Sequence, residues 1–589
     1  MSTYVIVDLE TTGLNPGRNG IIEFAALVLE NGQVVDEFET LIQSFDPVSE
    51  LVTEITGITQ EMVDEAPSMF AVKKEIKRIL GDHILVGHNV GFDIGFLQQE
   101  KLALTNRSID TLTLTTILFP TLGRYNLEHV ANALKLPLPE EGQAHRALAD
   151  TEVTAELFML LKEAALKLDL GVLSEIAEAG LRVNWPEAIF FQLLISEKAK
   201  MAFTQGGSAK RPGRSLGELF RPDRVEGKSV VPKEQEKVEE IPTEDILNMF
   251  EQGGNFSRVF PNFEYRPEQI EMVGAVCDAF NQGQHLLIEA GTGTGKSVGY
   301  MLPAAFWAAA NGRRVVVSTN TINLQDQLVN KDVPTLQKVL PFELRTAIRK
   351  GRRNYLCTRI FQQLRHKGVD KVEEMPLYAR LLVWLPQTDT GDMNEIPLRS
   401  FDERMMWNRM SAQNDICRQE HCNQFRCPRF VAQQRAEHAH IVIVNHALLL
   451  SDLANENHIL PTFYDLIIDE AHHLEPAVTS GLSFEADKRT LDRLVNDIVR
   501  EKGGLLNQLT GQTNIVPADI RSGLDSLVNR IRGDGDLAQM RMDDFFSTLT
   551  YFLTDGKRSK SDFSQQVRLT HSIRTQPLWD EVMISWDNL

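Results

Sequence analysis

A chain of 589 residues exceeds what one hydrophobic core usually organises, about 250–300 residues, so several domains are expected. The formal net charge of −20, from 61 Lys and Arg against 81 Asp and Glu, excludes a surface coated in positive charge, and any nucleic-acid contact must come from local basic stretches. Met1–Glu10 has no basic and apolar leader and no apolar run is long enough to span a bilayer, so the expectation is a cytoplasmic protein without membrane contact, in which five cysteines favour metal or redox chemistry over disulfides.

Thr3–Asp8, Ile21–Leu29 and Glu37–Ile42 read as strands separated by turns at Gly13–Gly20 and Asn31-Gly32, and such short turns imply antiparallel neighbours. Asp8 and Glu10 stand two apart at the end of the first strand, so both carboxylates project to one side and can share a divalent ion. A second acidic position follows in His88-Asn-Val-Gly-Phe-Asp93, where the apolar strand Ile84–Val86 runs into a helix beginning near Phe92. A third is Ala144-His145-Arg-Ala-Leu-Ala-Asp150, opening a helix that runs to about Leu161. Taken singly, each acid is an ordinary surface carboxylate; the set of four with a His is a candidate metal centre. Asp110 lies outside the set and reads as structural.

The motifs DxE, HNxxFD and HRAxxD, in this order and spacing, resemble those of the DnaQ-like DEDDh exonucleases, and Val52–Thr59 and Tyr125–His129 are further stretches similar to that family. The resemblance covers roughly the first 165 residues. It implies an RNase H-like fold, Asp8, Glu10, Asp93 and Asp150 as ligands to Mg²⁺ or Mn²⁺, and His145 as general base in 3′-5′ exonuclease chemistry.

Leu166–Ala202 has helical apolar spacing and is expected to pack on the nuclease or form a small helical piece. From Gly206 to Glu240 the composition shifts to Lys, Arg, Pro, Gly, Glu and Ser, a linker that would let nuclease and motor reorient, with Lys210-Arg211-Pro-Gly-Arg214 more readily solvated than bound to phosphate.

Next, His285–Glu289 reads as a strand, Ala290-Gly291-Thr292-Gly293-Thr294-Gly295-Lys296-Ser297 as a phosphate loop, and Ser297–Trp307 as a helix. Loop N–H groups would cradle phosphates, Lys296 reach the terminal ones, and Ser297 hold Mg²⁺. Ala290 stands where the usual pattern has Gly, and Arg266 and Gln269, just upstream, are candidates to recognise adenine. Downstream, Arg314–Thr319, Ile441–Val444 and Tyr464–Ile468 read as strands, the last ending in Asp469-Glu470-Ala-His472. There Asp469 would hold the metal and Glu470 the attacking water of ATP hydrolysis.

Cys357, Cys417, Cys422 and Cys427 fall between those motifs and could hold a [4Fe–4S] cluster or a tetrahedral Zn²⁺. Lys350–Cys357, the phosphate loop, Asn445–Leu450 and Asp469–Glu475 resemble the DinG family of iron–sulfur helicases related to XPD, and an exonuclease fused ahead resembles its form in Gram-positive bacteria. The resemblance favours the cluster over zinc. It implies an α/β fold class throughout: an RNase H-like exonuclease domain (1–165), a connector (166–255), a P-loop RecA-like motor domain (256–485) with a cysteine insertion near 350–430, and a helical arch insertion (486–589).

Arg345–Lys367 holds eight Lys or Arg, no acid, and Tyr355 and Phe361, the stretch best suited to track a single strand. No Ser-Ala-Thr motif and no second motor lobe follow the arch, so the chain reads as about half a motor and as a fragment of a longer protein. Three functions are in play: a metal-dependent 3′-5′ exonuclease joined to the first half of a helicase, an ATP-driven 5′-3′ DNA helicase acting in repair when full length, and a nucleic-acid-binding scaffold. The expected partners are ATP and single-stranded DNA, with RNA as the alternative; oligomeric state is not legible.

Overall fold

Nine of the ten residues of β2 (Ile21–Glu30) are buried, so this apolar run has to lie inside a sheet. The computed structural model describes residues 3–137, 146–204, 219–222, 238–291, 293–412, 417, 426–455, 458–482, 487–500, 504–511, 517–553 and 568–589. In it, β2 pairs antiparallel with β1 (Thr3–Thr11) and β3 (Gln33–Leu41). β1 continues in parallel to β4 (Ile84–Gly87), and β4 to β5 (Ser108–Asp110), giving the order β3-β2-β1-β4-β5 of an RNase H-like sheet. β3 begins four residues earlier than its sequence pattern indicated, because Asn31 and Gly32 both take positive φ, 54° and 82°, and the tight turn lets pairing start at once. The helix Ala147–Lys167 covers one face, burying Leu157, Phe158 and Leu161, with Phe158 edge-on to Tyr4 at 4.9 Å.

The first part of the connector forms the helices Leu170–Arg182 and Ala188–Thr204, and Thr243–Asn248 is a further short helix among its described residues. The first two do not merely lean on the nuclease. Leu173, Ile176, Phe190 and Phe191 share one continuous core with Ile6, Leu27 and Phe158 of the nuclease and with Leu377, Leu381, Trp384 and Trp407 of the cysteine-bearing segment. Polar contacts tie the same junction. Arg380, fully buried, donates from Nε to the Thr116 carbonyl at 3.0 Å, from Nη2 to Thr116 Oγ1 at 2.9 Å, and to both Glu403 oxygens at 3.2 Å. Glu175 accepts from Arg365 at 2.6 and 2.7 Å and from the Tyr378 hydroxyl at 2.8 Å. Of the linker expected at Gly206–Glu240, residues 206–218 and 223–237, with Lys210, Arg211 and Arg214, lie outside the described residues; the described parts of the nuclease and the cysteine-bearing segment share one core.

The motor sheet is parallel, with order β7-β8-β6-β9, from β6 (Val315–Thr319), β7 (Thr346–Ile348), β8 (Ile441–Asn445) and β9 (Asp465–Ile468). The strand expected at His285–Glu289 is not formed, and Leu287 is 93% exposed. β9 pairs only with β6 among the described residues, so the apolar run finds no ladder against which to bury. The helix after the phosphate loop is present, Lys296–Asn311, packed on Val315, Val317, Ile441 and Ile443.

Residues 478–589 form a second unit. It is helical, as the spacing indicated, with Lys488–Val499, Ala518–Leu553 and Pro577–Asn588 as its main helices. Lys488 bridges Asp492 and Asp543, each at 2.7 Å, and Phe552 packs on Trp579 at 5.3 Å. No helix among the described residues is long and apolar enough to cross a membrane.

Candidate active site

The pleat of β1 sends Asp8 and Glu10 to the same side, where the helix Ala147–Lys167 presents Asp150 from its first turn. Ligand atoms of these three lie within 4.8 Å of one another. Asp93, in the first turn of the helix Gly91–Gln99, is buried and close enough to Asp8 to repel its charge; burial holds its own carboxyl well above the usual range, against a smaller opposing pull from the backbone at Asp93 and Leu9. The loop before it is strained: Asn89 has φ 68°, and its N–H is held at 2.8 Å by Asp110 Oδ1, which also accepts from Leu112 N at 3.0 Å. Asp110 is thus structural, as its place outside the motifs suggested. His145 lies outside the described residues.

Burial dominates the electrostatics. It pushes the Asp8 carboxyl well above the usual range, with Asp93, Glu10 and Asp150 adding repulsion. Burial, then Asp150, Glu23 and Asp93, raise Glu10 to about 8, against a smaller opposing pull from Arg146. Asp8 Oδ2 is buried without any hydrogen-bond partner. A crowded set of oxygens with an orphaned acceptor fits a hard divalent cation, whose charge would reverse each of these shifts.

Two residues of this site were not singled out from the sequence, Glu23 and Arg146. Glu23 is fully buried and accepts on Oε1 from Arg146 Nε at 2.9 Å and from Nη2, and on Oε2 from the Ala147 N–H at 2.9 Å. The available signal was a lone carboxylate inside the otherwise apolar run Ile21–Leu29.

In the motor, Gly293 and Gly295 take φ 85° and 79°, the conformation that turns loop N–H groups inward. Thr294 Oγ1 closes the loop onto the Gly291 carbonyl at 3.0 Å, Ala290 is half-buried beside it, and Thr292 lies outside the described residues. Arg266 donates to the Gly293 carbonyl at 2.7 Å and Gln269 to that of Gly295 at 2.9 Å, so both shape the loop itself. Lys296 Nζ meets Glu470 Oε1 at 3.3 Å, and Glu470 sits at φ 53°, a strained position for a non-glycine residue. Asp469, held above its ordinary range by burial and then by Glu470, lies 3.5 Å from Thr319 Oγ1. Ser297 is flanked by Tyr300 and Asp332, neither anticipated from the motif.

The basic stretch Arg345–Lys367 is largely structural, contrary to its reading as a strand-tracking surface. Arg349 is buried over the Tyr355 ring at 5.6 Å, Lys350 is buried between Asp326 at 3.1 Å and Asp392 at 2.6 Å, and Arg365 is paired to Glu175. Tyr355 and Phe361, the expected base stackers, are core residues. Arg352, Arg353 and Lys367 remain exposed. Cys357 is buried, Cys417 and Cys427 are half-buried, and Cys422 lies outside the described residues. Among the described residues, the three thiols do not fall in one group with ligand atoms within 4.8 Å of one another. Arg429 Nη1 approaches Cys417 Sγ at 3.5 Å.

Comparison with known families places residues 5–158 in the exonuclease family RNase_T, residues 266–362 in the DEAD/DEAH box helicases and residues 393–491 in DEAD_2. The chain therefore joins an exonuclease domain to a helicase-type motor segment, the combination that its motifs resemble. Among curated proteins it is similar to the 3'-5' exonuclease DinG of Bacillus subtilis (strain 168), 31% identical over 583 residues, which cover 96% of this chain and 59% of that protein. The protein of the same name from Staphylococcus aureus (strain USA300) is 28% identical over 556 residues, covering 90% of this chain and 58% of that one. The chain thus spans about three-fifths of the length of these relatives. Among solved structures, Exonuclease X with 5' overhanging duplex DNA is 28% identical, covering 27% of this chain and 91% of that one, with a TM-score of 0.24.

Proposed function

We propose that this protein is a metal-dependent 3′-5′ exonuclease on nucleic acid, joined to an ATP-binding helicase-type motor. The observation that carries the reading is the convergence of Asp8, Glu10 and Asp150 within 4.8 Å beside buried Asp93, with Asp8 Oδ2 left unpartnered. Asp8, Glu10, Asp93 and Asp150 would hold two ions, Mg²⁺ or Mn²⁺. Such ions, when bound, supply an activated water and neutralise charge on the attacking and leaving oxygens of a phosphodiester. The carboxylates fix where the terminal phosphate sits, and burial excludes bulk water from it. His145, five residues before Asp150, takes the proton from the water. Single-stranded DNA is the substrate in this reading, with RNA as the alternative.

In the motor, the loop Gly291–Gly295 with Lys296 and Ser297 binds the phosphates of ATP, Asp469 orients the Mg²⁺ and Glu470 the attacking water. The Lys296–Glu470 contact gives this a testable geometry: as phosphate oxygens enter, Lys296 turns to them and frees Glu470 as an acceptor. Cys357, Cys417, Cys422 and Cys427 hold an iron–sulfur cluster in this reading. The nuclease takes residues 1–165, the connector 166–255, the motor 256–485 and the arch 486–589.

A strand labelled at its 3′ end in one sample and its 5′ end in another, digested with Mg²⁺ or Mn²⁺, tests the polarity. Immediate release of labelled mononucleotide from the 3′-labelled strand alone is expected; release from the 5′ end, or none with either ion, would refute the reading.

A further inference from the structure

Five carboxylates, not four, converge at the nuclease site: Glu23 adds to the repulsion on both Asp8 and Glu10. The fifth differs in kind. Asp8 keeps a buried oxygen with no partner, whereas both oxygens of Glu23 are occupied by donors, Oε1 by Arg146 Nε and Nη2 and Oε2 by the Ala147 N–H. Glu23 also falls outside the group Asp8, Glu10 and Asp150, whose ligand atoms lie within 4.8 Å of one another. Its position also needs a reason, because Glu10 and Glu23 are directly paired across β1 and β2, and like charges there are destabilising. The Arg146 guanidinium, with one-third of its side chain exposed, supplies the opposing charge and reaches on to Glu39 at 3.5 Å.

The donors Glu23 engages belong to a short, critical piece of chain. Arg146 follows His145 directly, Ala147 is the first residue of the helix, and Asp150 lies in its first turn. An N–H of a helix's first turn has no intrahelical acceptor, and Glu23 takes the first of them. The carboxylate thereby clamps the start of this helix to β2 at the level of Glu10.

We propose that Glu23 and Arg146 are positioning residues for the nuclease, a clamp between β2 and the helix Ala147–Lys167 that sets Asp150 against Asp8 and Glu10. This rests on the exonuclease reading above. The pair touches neither strand nor metal; it acts by placing groups that do. Partners of this type cost on the order of 10- to 100-fold in activity or metal affinity when removed.

The test compares wild-type protein with Glu23→Gln, Arg146→Met, Arg146→Lys and the Glu23→Gln/Arg146→Met double variant, all in the full chain. Steady-state release of mononucleotide from a 3′-labelled oligonucleotide is measured beside Mn²⁺ binding by electron paramagnetic resonance. Glu23→Gln and Arg146→Met should each lose on the order of 10- to 100-fold in kcat with KM for the strand unchanged, and bind Mn²⁺ more weakly. The double variant should be no worse than the poorer single one, because the two act as a unit, and Arg146→Lys should restore part of the rate. Wild-type kcat in Glu23→Gln and Arg146→Met, or a rise in KM with kcat intact, overturns the clamp. If Glu23→Gln does not fold, Arg146→Lys and Arg146→Met, altered at a partly exposed side chain, decide alone. An inactive wild-type protein would instead sink the exonuclease reading, so the two failures are distinct.

Discussion

Replacing Arg380 by Met should loosen the junction that makes nuclease and cysteine segment one body. Arg380 is fully buried, and its guanidinium serves the Thr116 carbonyl and hydroxyl on the nuclease side and Glu403 and the Pro397 carbonyl on the other. Met keeps most of the apolar stem. What is lost is the charge and its hydrogen bonds, and Glu403, 3% exposed, is left as an unpaired carboxylate in the core. Breaking a buried pair from one side costs about 3–5 kcal/mol. The orphaned Thr116 carbonyl works in the same direction, at about 1–3 kcal/mol, though the two do not simply add. Urea unfolding followed by tryptophan fluorescence reports on this region directly, because Trp384 and Trp407 are buried in the shared core with ring centroids 6.4 Å apart. The midpoint of that transition should fall by the equivalent of about 3–5 kcal/mol in Arg380→Met, and by clearly less in Arg380→Met/Glu403→Met, where no charge is stranded. A loss below about 1 kcal/mol, within the ordinary run of point mutations, or a double variant that loses the sum of both singles, would refute the reasoning.

Gly295→Ala should weaken binding of a fluorescent ATP analogue about tenfold or more, since φ is 79° there and a Cβ would stand 2.2 Å from Gln269 Nε2; wild-type affinity would show that the loop is not built as described. The metal-free nuclease should lose stability as pH rises. With Glu10 raised to about 8 and Asp8 and Asp93 also raised, the folded state holds protons that the unfolded chain has released above the ordinary carboxylate range. The gain in Tm on adding Mg²⁺ should therefore grow from about pH 6 to about pH 9, and a gain independent of pH would count against this. Protein purified without air should contain iron and acid-labile sulfide and show a broad visible absorbance, lost when Cys357 is replaced by Ser; zinc without iron would reverse that choice.

The parts of the site that repeat a local pattern were legible in the sequence. Asp8 and Glu10 follow the two-residue period of a strand, Asp93 and Asp150 open helices, and the phosphate loop declares itself through its glycines and Lys296-Ser297. What stayed hidden depends on contacts far apart in the chain. Glu23 and Arg146 are 123 residues apart, and neither spacing nor motif connects them. The basic stretch misled because composition counts charges and not their partners: Lys350 and Arg365 find Asp392 and Glu175, and only the fold brings those acids to them. His285–Glu289 has the composition of a strand, but a strand also needs a neighbour, and that is a property of the sheet.

The central claim, that Asp8, Glu10, Asp93 and Asp150 form one metal-dependent nuclease centre, is tested most directly by Asp150→Asn and Asp8→Asn in the full chain. Each substitution keeps the side-chain volume and removes the charge. Release of mononucleotide from a 3′-labelled single strand in saturating Mn²⁺ should fall by more than about 10²-fold in each, while the unfolding midpoint without metal stays the same or rises, because a carboxyl disfavoured by burial has been removed. Retention of full nuclease activity by either folded variant would contradict the account.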